Sequence, residues 1–324
     1  MKKHLIFGVA ALTMLASCSN EEKIDAPATS AIEFGNLFVN NSTRATDLTL
    51  ANLEDFKVYG FMGAPSGVVF DGETVSKAAG VWSYSNLQYW TGGRNYWFSA
   101  VAPATGANWT YKASATEAQE YNGAGTIAFD NAAANGSQDL LYAWSGKVIC
   151  ETPSTMKPVG LTFNHLLSRV MFTFQNDLKH PNARIAVKNV KVSNAFGQGS
   201  IDMTKANPAW VASAQTLALT FADADGRIDI NTTKSTGTNY FIPAEAAYSL
   251  TFDVEFWQGE QLAAVYPHSV TMPEVTMLPG HSYNFVAKLN SENIDPSGAL
   301  YPIEFDVTDV NGWTTEADQE IPAK

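Results

Sequence analysis

Short alternating apolar runs, broken by glycine, proline, asparagine and aspartate, fill this chain from Phe56 onward, and helical periodicity is almost absent. Phe56, Val58, Tyr59 and Phe61 open the series; the stretches 96–101, 161–163, 170–174, 185–192, 217–221, 228–230, 250–256 and 283–289 continue it. Val, Phe, Tyr and Thr dominate these runs, and such side chains suit a pleated surface with one face in a core. The pattern predicts an all-β chain built of sandwiches, because a sheet with one apolar face must bury it against another layer. With 324 residues the chain can bury a large core divided between two domains.

The best internal linker is 151–158, Glu151-Thr152-Pro153-Ser154-Thr155-Met156-Lys157-Pro158, where prolines at both ends disfavour ladder pairing. It predicts a boundary near residue 155, within about fifteen residues either way, with one sandwich over 45–155 and another over 156–324. A polar stretch, 290–298, sets off a short final segment. No repeat of fixed period is visible.

The amino terminus reads as an address. Lys2 and Lys3 precede an apolar run over 5–15 and then Leu15-Ala16-Ser17-Cys18. A basic end, an apolar stretch too short to span a membrane stably and small residues before a cysteine make 1–17 a lipoprotein signal peptide. The Cys18 thiolate then takes up diacylglycerol, and two or three acyl chains anchor a protein stably where one does not. Loss of Lys2 and Lys3 lowers the basic count from 20 to 18 against 32 acids, a mature net charge of about −14. That balance argues against nucleic acid or anionic lipid as a partner. With Cys18 on lipid, Cys150 has no disulfide partner and reads as a small core residue rather than a nucleophile.

No catalytic grouping, metal site or cofactor motif emerges. His165, His180, His268 and His281 lack the spacing of a zinc site. Asp223, Asp225 and Asp229 suggest a calcium loop, but Gly226 is misplaced for one, and a hairpin turn at Asp225-Gly226 accounts for them better. The aromatics Trp82, Tyr84, Tyr89, Trp90, Tyr96, Trp97, Phe98 and Trp109 have two readings. They fill a sandwich core, or some of them, Trp90 and Trp97 above all, offer indole faces to a glycan.

The informative stretch follows the lipid site. Residues 31–39 form an apolar strand, with Ile32, Phe34, Leu37 and Val39, inside what would otherwise be a polar tether. Next comes Asn40-Asn41-Ser42-Thr43-Arg44-Ala45, a polar loop suited to cleavage by a trypsin-like protease between Arg44 and Ala45.

The order of lipid signal, apolar strand, Thr43-Arg44-Ala45 and then 53–61 resembles the fimbrillins of Bacteroidales type V pili and their Mfa-like relatives. Leu87-Gln88-Tyr89-Trp90, 96–100, Asp139-Leu140-Leu141-Tyr142-Ala143, 161–170 and Leu278-Pro279-Gly280-His281-Ser282-Tyr283 extend the likeness over nearly the whole chain. The resemblance implies two transthyretin-like Greek-key β-sandwich domains in tandem. It implies a propeptide, 18–44, whose plug strand carries Ile32, Phe34, Leu37 and Val39 and leaves on cleavage. It implies a donor strand within about 301–324, with Ile303, Phe305 and Val307 on one face, that inserts into the vacated groove of another fimbrial subunit, the contact propagating as a filament. Glu21 and Glu22 resemble acidic tags that route such lipoproteins to the outer membrane surface, ahead of release into a fimbrium that supports adhesion. A surface glycan-binding lipoprotein is the alternative, and a hydrolase the remotest. The amino-terminal residue of protein recovered from surface filaments separates these readings: Ala45 is expected for a processed subunit, lipidated Cys18 for an anchor or glycan binder.

Overall fold

The computed structural model describes residues 30–40, 48–63, 67–114, 125–224, 226–298 and 302–311. Cys18, Arg44 and Ala45 lie outside the described residues. The chain is all-β, and its one described α-helix, Asn131–Ala134, is capped by Asp130, whose carboxylate accepts from Ala133 N at 2.9 Å.

A seven-stranded sheet takes the order Phe38–Val39, Thr162–His165, Leu141–Cys150, Arg94–Ala102, Asp55–Met62, Gly67–Ala78, Val81–Ser83. Every pairing is antiparallel except the first, where Phe38 and Val39 run parallel to Thr162 and Phe163. Its central strand, Arg94–Ala102, shows almost no alternation of burial because both faces are covered. Tyr96, Phe98 and Ala100 enter one core with Phe56 and Phe163, while Val101 enters another with Trp109, Ile127 and Phe129. Neighbouring strands divide likewise: Val58 and Tyr59 serve opposite cores, as do Leu141 and Tyr142.

The cover over the second of these faces is a four-stranded sheet, Trp210–Ala212, Gln198–Asp202, Gly125–Asp130, Trp109–Ala113. Its seam joins the two halves of the chain, with Gln198 opposite Asp130 and Asp202 opposite Thr126. The stretch 151–158 lies within this arrangement. It connects Leu141–Cys150 to Thr162–His165, which pair with each other in one sheet, so its prolines end a ladder without separating two bodies.

The remaining strands form a sandwich. Ser168–Asn176 pairs with Thr233–Ser235 and Asn239–Phe241 along one edge and with His281–Leu289 along the other, and Phe305–Asn311 follows. Facing them lie Gln215–Thr220, Ala183–Phe196, Ser249–Gln258 and Gln261–Thr271. Phe172, Phe174, Ile185, Val187, Val254 and Phe285 belong to the core between. The strand expected over 228–230 is reduced to one bridge, Ile228 to Ile185, because Gly226 and Asn231, with φ of 67° and 57°, turn the chain on either side. Asp223 serves structure there: it accepts from Asn189 N at 3.0 Å and pairs with Lys188 at 3.3 Å.

Two positions yield tests of this packing. Gly60 lies where a Cβ would approach Phe70 Cδ2 to 2.7 Å and Phe98 Cδ1 to 3.0 Å, so Gly60→Ala is expected to destabilise the chain, and urea denaturation measures it. The cost is about 1–3 kcal/mol, as for overpacked cores in general. His268 stacks on Phe252 with ring centres 5.1 Å apart, and its Nε2 lies 3.0 Å from the carbonyl oxygen of Ile294. Burial holds its imidazole below the ordinary range, outweighing the Ile294 carbonyl and the carboxylates of Asp253 and Asp295. The unfolded chain therefore binds this proton more readily than the fold does. Stability from His268 is full above about pH 6.5 and is lost as pH falls from there through the lower pKa of the folded state. His268→Phe is expected to flatten this acid-side loss below about pH 6.5, followed by thermal unfolding from neutral pH downward.

Candidate functional site

The segment 30–40 threads between two stretches of chain that offer it unpaired backbone groups. On one side Ile32 N donates to Gln88 O at 2.8 Å and Trp90 N donates to Ser30 O at 3.0 Å. On the other, Val159 N donates to Glu33 O at 2.7 Å and Gly35 N to Val159 O at 3.0 Å; Phe38 N and Asn40 N reach Leu161 O and Phe163 O at 3.0 and 2.9 Å. Side chains finish the clamp: the Tyr84 hydroxyl donates to Ile32 O, and Asn40 Nδ2 to Asn164 Oδ1, both at 2.6 Å. Backbone on both flanks is thereby satisfied by a strand that comes from near the amino terminus.

All four plug residues named from the sequence, Ile32, Phe34, Leu37 and Val39, are buried and share one core with Phe56, Phe98 and Phe163. Phe34 meets Phe56 and Phe98 edge to face at 6.0 and 5.8 Å, and it also touches Phe70 and Tyr84. Strict alternation breaks between Phe34 and Leu37, three residues apart, because Asn36 takes the left-handed backbone with φ of 49°. That kink returns Leu37 to the core side. Gly35 passes so near the 151–158 loop that a Cβ there would stand 3.0 Å from Pro158 Cβ.

The carboxy-terminal segment also has a place within its own chain. Ile303 and Phe305 are buried at home, and the Phe305 ring sits 6.0 Å from both Phe172 and Phe174. Phe305–Asn311 runs antiparallel to His281–Leu289, from Phe305 opposite Ala287 to Asn311 opposite His281. Val307 remains 36% exposed, so the three expected donor residues do not form one uniform buried row. Within its own chain the expected donor segment is an edge strand of the second sandwich.

Other sequence candidates resolve into structure. Trp90 and Trp97 are buried, Trp90 edge to face with Tyr96 at 4.7 Å, which corrects their reading as sugar platforms: neither offers an indole face to solvent. Cys150 is buried, and burial pushes its thiol up, away from a reactive thiolate. Among the described residues no group of three or more His, Cys, Asp or Glu is placed to hold a metal ion.

Sequence reasoning also missed a pair. His165 does not stand alone: its Nδ1 lies 2.9 Å from Asp139 Oδ2, both buried, where Leu141 pairs with His165. Beside it in sequence, buried Arg169 donates from Nε to Ser282 Oγ at 3.1 Å. No linear spacing announces either contact; the strand register makes them. They satisfy polar groups at the joint between the cores, where an unpartnered one is costly.

A family model described as fimbrillin-like matches residues 43–302 of the chain. No curated protein sequence matches it. Among solved structures, a fimbrial protein from Bacteroides vulgatus superposes with a TM-score of 0.61 at 17% identity, over 88% of this chain and 99% of that one. A protein assigned to cell adhesion from Bacteroides ovatus gives 0.54 at 16%, over 90% of this chain and 100% of its own. At such identities these two likenesses establish shared fold.

The clamp itself is testable in the uncleaved chain. Phe34→Ala removes a ring packed against four others and is expected to cost roughly 3–5 kcal/mol. Tyr84→Phe, losing one bond to Ile32 O, is expected to cost about 1 kcal/mol. Chemical denaturation of the two variants against the parent checks both values and their order.

Proposed function

Because the chain belongs to the fimbrillin-like family, we propose that it is a structural subunit, stalk or tip, of a cell-surface fimbria, delivered to the outer membrane as a lipoprotein through Cys18. It is not an enzyme. A trypsin-like protease cuts between Arg44 and Ala45 and frees 18–44. The observation that carries this reading is the placement of Ile32, Phe34, Leu37 and Val39 in a core whose other walls come from Leu53 onward. A strand so deeply seated, just ahead of an arginine in a polar stretch, is suited to removal by one cut.

Its departure has a definite energetic consequence. Exposing the apolar surface of such side chains costs roughly 1.5–3 kcal/mol each. Backbone groups at Gln88, Trp90, Val159, Leu161 and Phe163 lose their partners as well. An incoming strand that restores both terms is strongly favoured, and β-augmentation by a neighbour's carboxy-terminal segment restores both. The donor gives up its home pairing with His281–Leu289 to do so, which makes the step an exchange of one ladder for another. Donor and acceptor lie on different surfaces of the subunit, so the contact is heterologous and extends as a filament supporting adhesion.

The test compares the purified precursor with Arg44→Ala after limited trypsin treatment. Cleaved parent protein is expected to polymerise and to bind a peptide of residues 301–324, whereas Arg44→Ala does neither. A cleaved parent that stays monomeric and ignores the peptide removes strand exchange as the explanation.

A further inference from the structure

The strand in the furrow has a shape that five residues define. Glu33 is exposed, Phe34 is buried, Gly35 brushes Pro158, Asn36 takes φ of 49° and Leu37 is buried again. A strictly alternating strand cannot follow this path, since the inward positions flanking the kink are three residues apart. Ile303, Phe305 and Val307 alternate strictly. Further along, Asp309-Val310-Asn311-Gly312-Trp313 repeats the character of Glu33-Phe34-Gly35-Asn36-Leu37: an acid, an apolar residue, two turn-formers and a large apolar residue. Gly312 falls where Asn36 is left-handed, a conformation glycine adopts without steric cost.

We propose that the segment refilling the furrow is 309–313 of a second copy of this chain, with Asp309 at the position of Glu33, Val310 at Phe34, Gly312 at Asn36 and Trp313 at Leu37. This rests on the strand-exchange reading above and fixes its register. Val310 is smaller than Phe34 and Trp313 larger than Leu37, so the pair exchanges large and small sites while keeping their combined volume similar. Asn311 arrives at the tight point, 3.0 Å from Pro158 Cβ, and Pro158 is an exposed loop residue that can give by the few tenths of an ångström required. The donor subunit also keeps what its own core needs. Ile303 and Phe305 stay buried among Phe172, Phe174 and Phe252, and the part that leaves begins after the half-open Val307.

The test uses the full chain cleaved after Arg44, with cysteine pairs read on non-reducing gels of the oxidised polymer. Phe34 bridges Val159, so Val159→Cys with Val310→Cys is expected to give a covalent ladder, and Val159→Cys with Val307→Cys is not. Independently, Gly312→Val is expected to slow polymerisation by roughly tenfold or more, the scale of a β-branched residue forced left-handed, with unfolding of the uncleaved precursor unchanged. Pro158→Ala is expected to match or exceed the parent rate. A ladder from the Val307 pair, polymers that crosslink through neither pair, or normal polymerisation of Gly312→Val overturns the register and leaves strand exchange standing. Failure of the cleaved parent to polymerise overturns both.

Discussion

The clamp on residues 30–40 is the constraint from which the rest of the first half takes its form. Without that segment, the seven-stranded sheet has an uncovered apolar face around Phe56, Phe98 and Phe163 and loses the Phe38–Val39 strand at its edge. With it, the same sheet is buried on both sides, by the segment on one face and by the four-stranded sheet on the other. A core completed from outside the main run of strands is stable while complete and costly when opened. That asymmetry is what the proposed cut would convert into assembly.

Both ends of the chain are satisfied at home; on the proposed reading they are the two halves of one interaction between subunits. The amino-terminal segment occupies its own furrow, and Phe305–Asn311 caps its own sheet edge. In the proposed assembly such mutual occupancy would keep a subunit from pairing prematurely, because neither an open groove nor a loose strand is on offer. Thr162–His165 pairs with the plug strand, and Ser168–Asn176, starting three residues later, pairs with the strand that holds the carboxy-terminal one. The buried contacts of His165 with Asp139 and of Arg169 with Ser282 lie along this passage.

Buried aromatics illustrate how composition misleads when read along a line. Read along the line, the cluster from Trp82 to Trp109 suits a sandwich core or a recognition surface. In the fold Trp90, Tyr96 and Phe98 enter the core that holds Phe34, Trp109 enters the other, and Tyr89 stays exposed. Gly60 is the counterpart of these rings, its missing Cβ making room for Phe70 and Phe98.

Sequence alone determined the all-β class, since alternation of β-branched and aromatic residues between turn-formers allows little else. It also singled out Ile32, Phe34, Leu37 and Val39 as apolar residues out of place in a tether, because burial preference is a property of each side chain. It did not determine where the halves divide, as prolines in 151–158 interrupt a ladder equally well inside a sheet or between domains. Nor did it distinguish a free carboxy-terminal strand from one seated beside His281–Leu289. Register, the left-handed turn at Asn36, the double-sided burial of Arg94–Ala102 and the meeting of His165 with Asp139 were decided by tertiary structure. Each depends on which distant segments come to lie side by side, and linear spacing does not encode that choice.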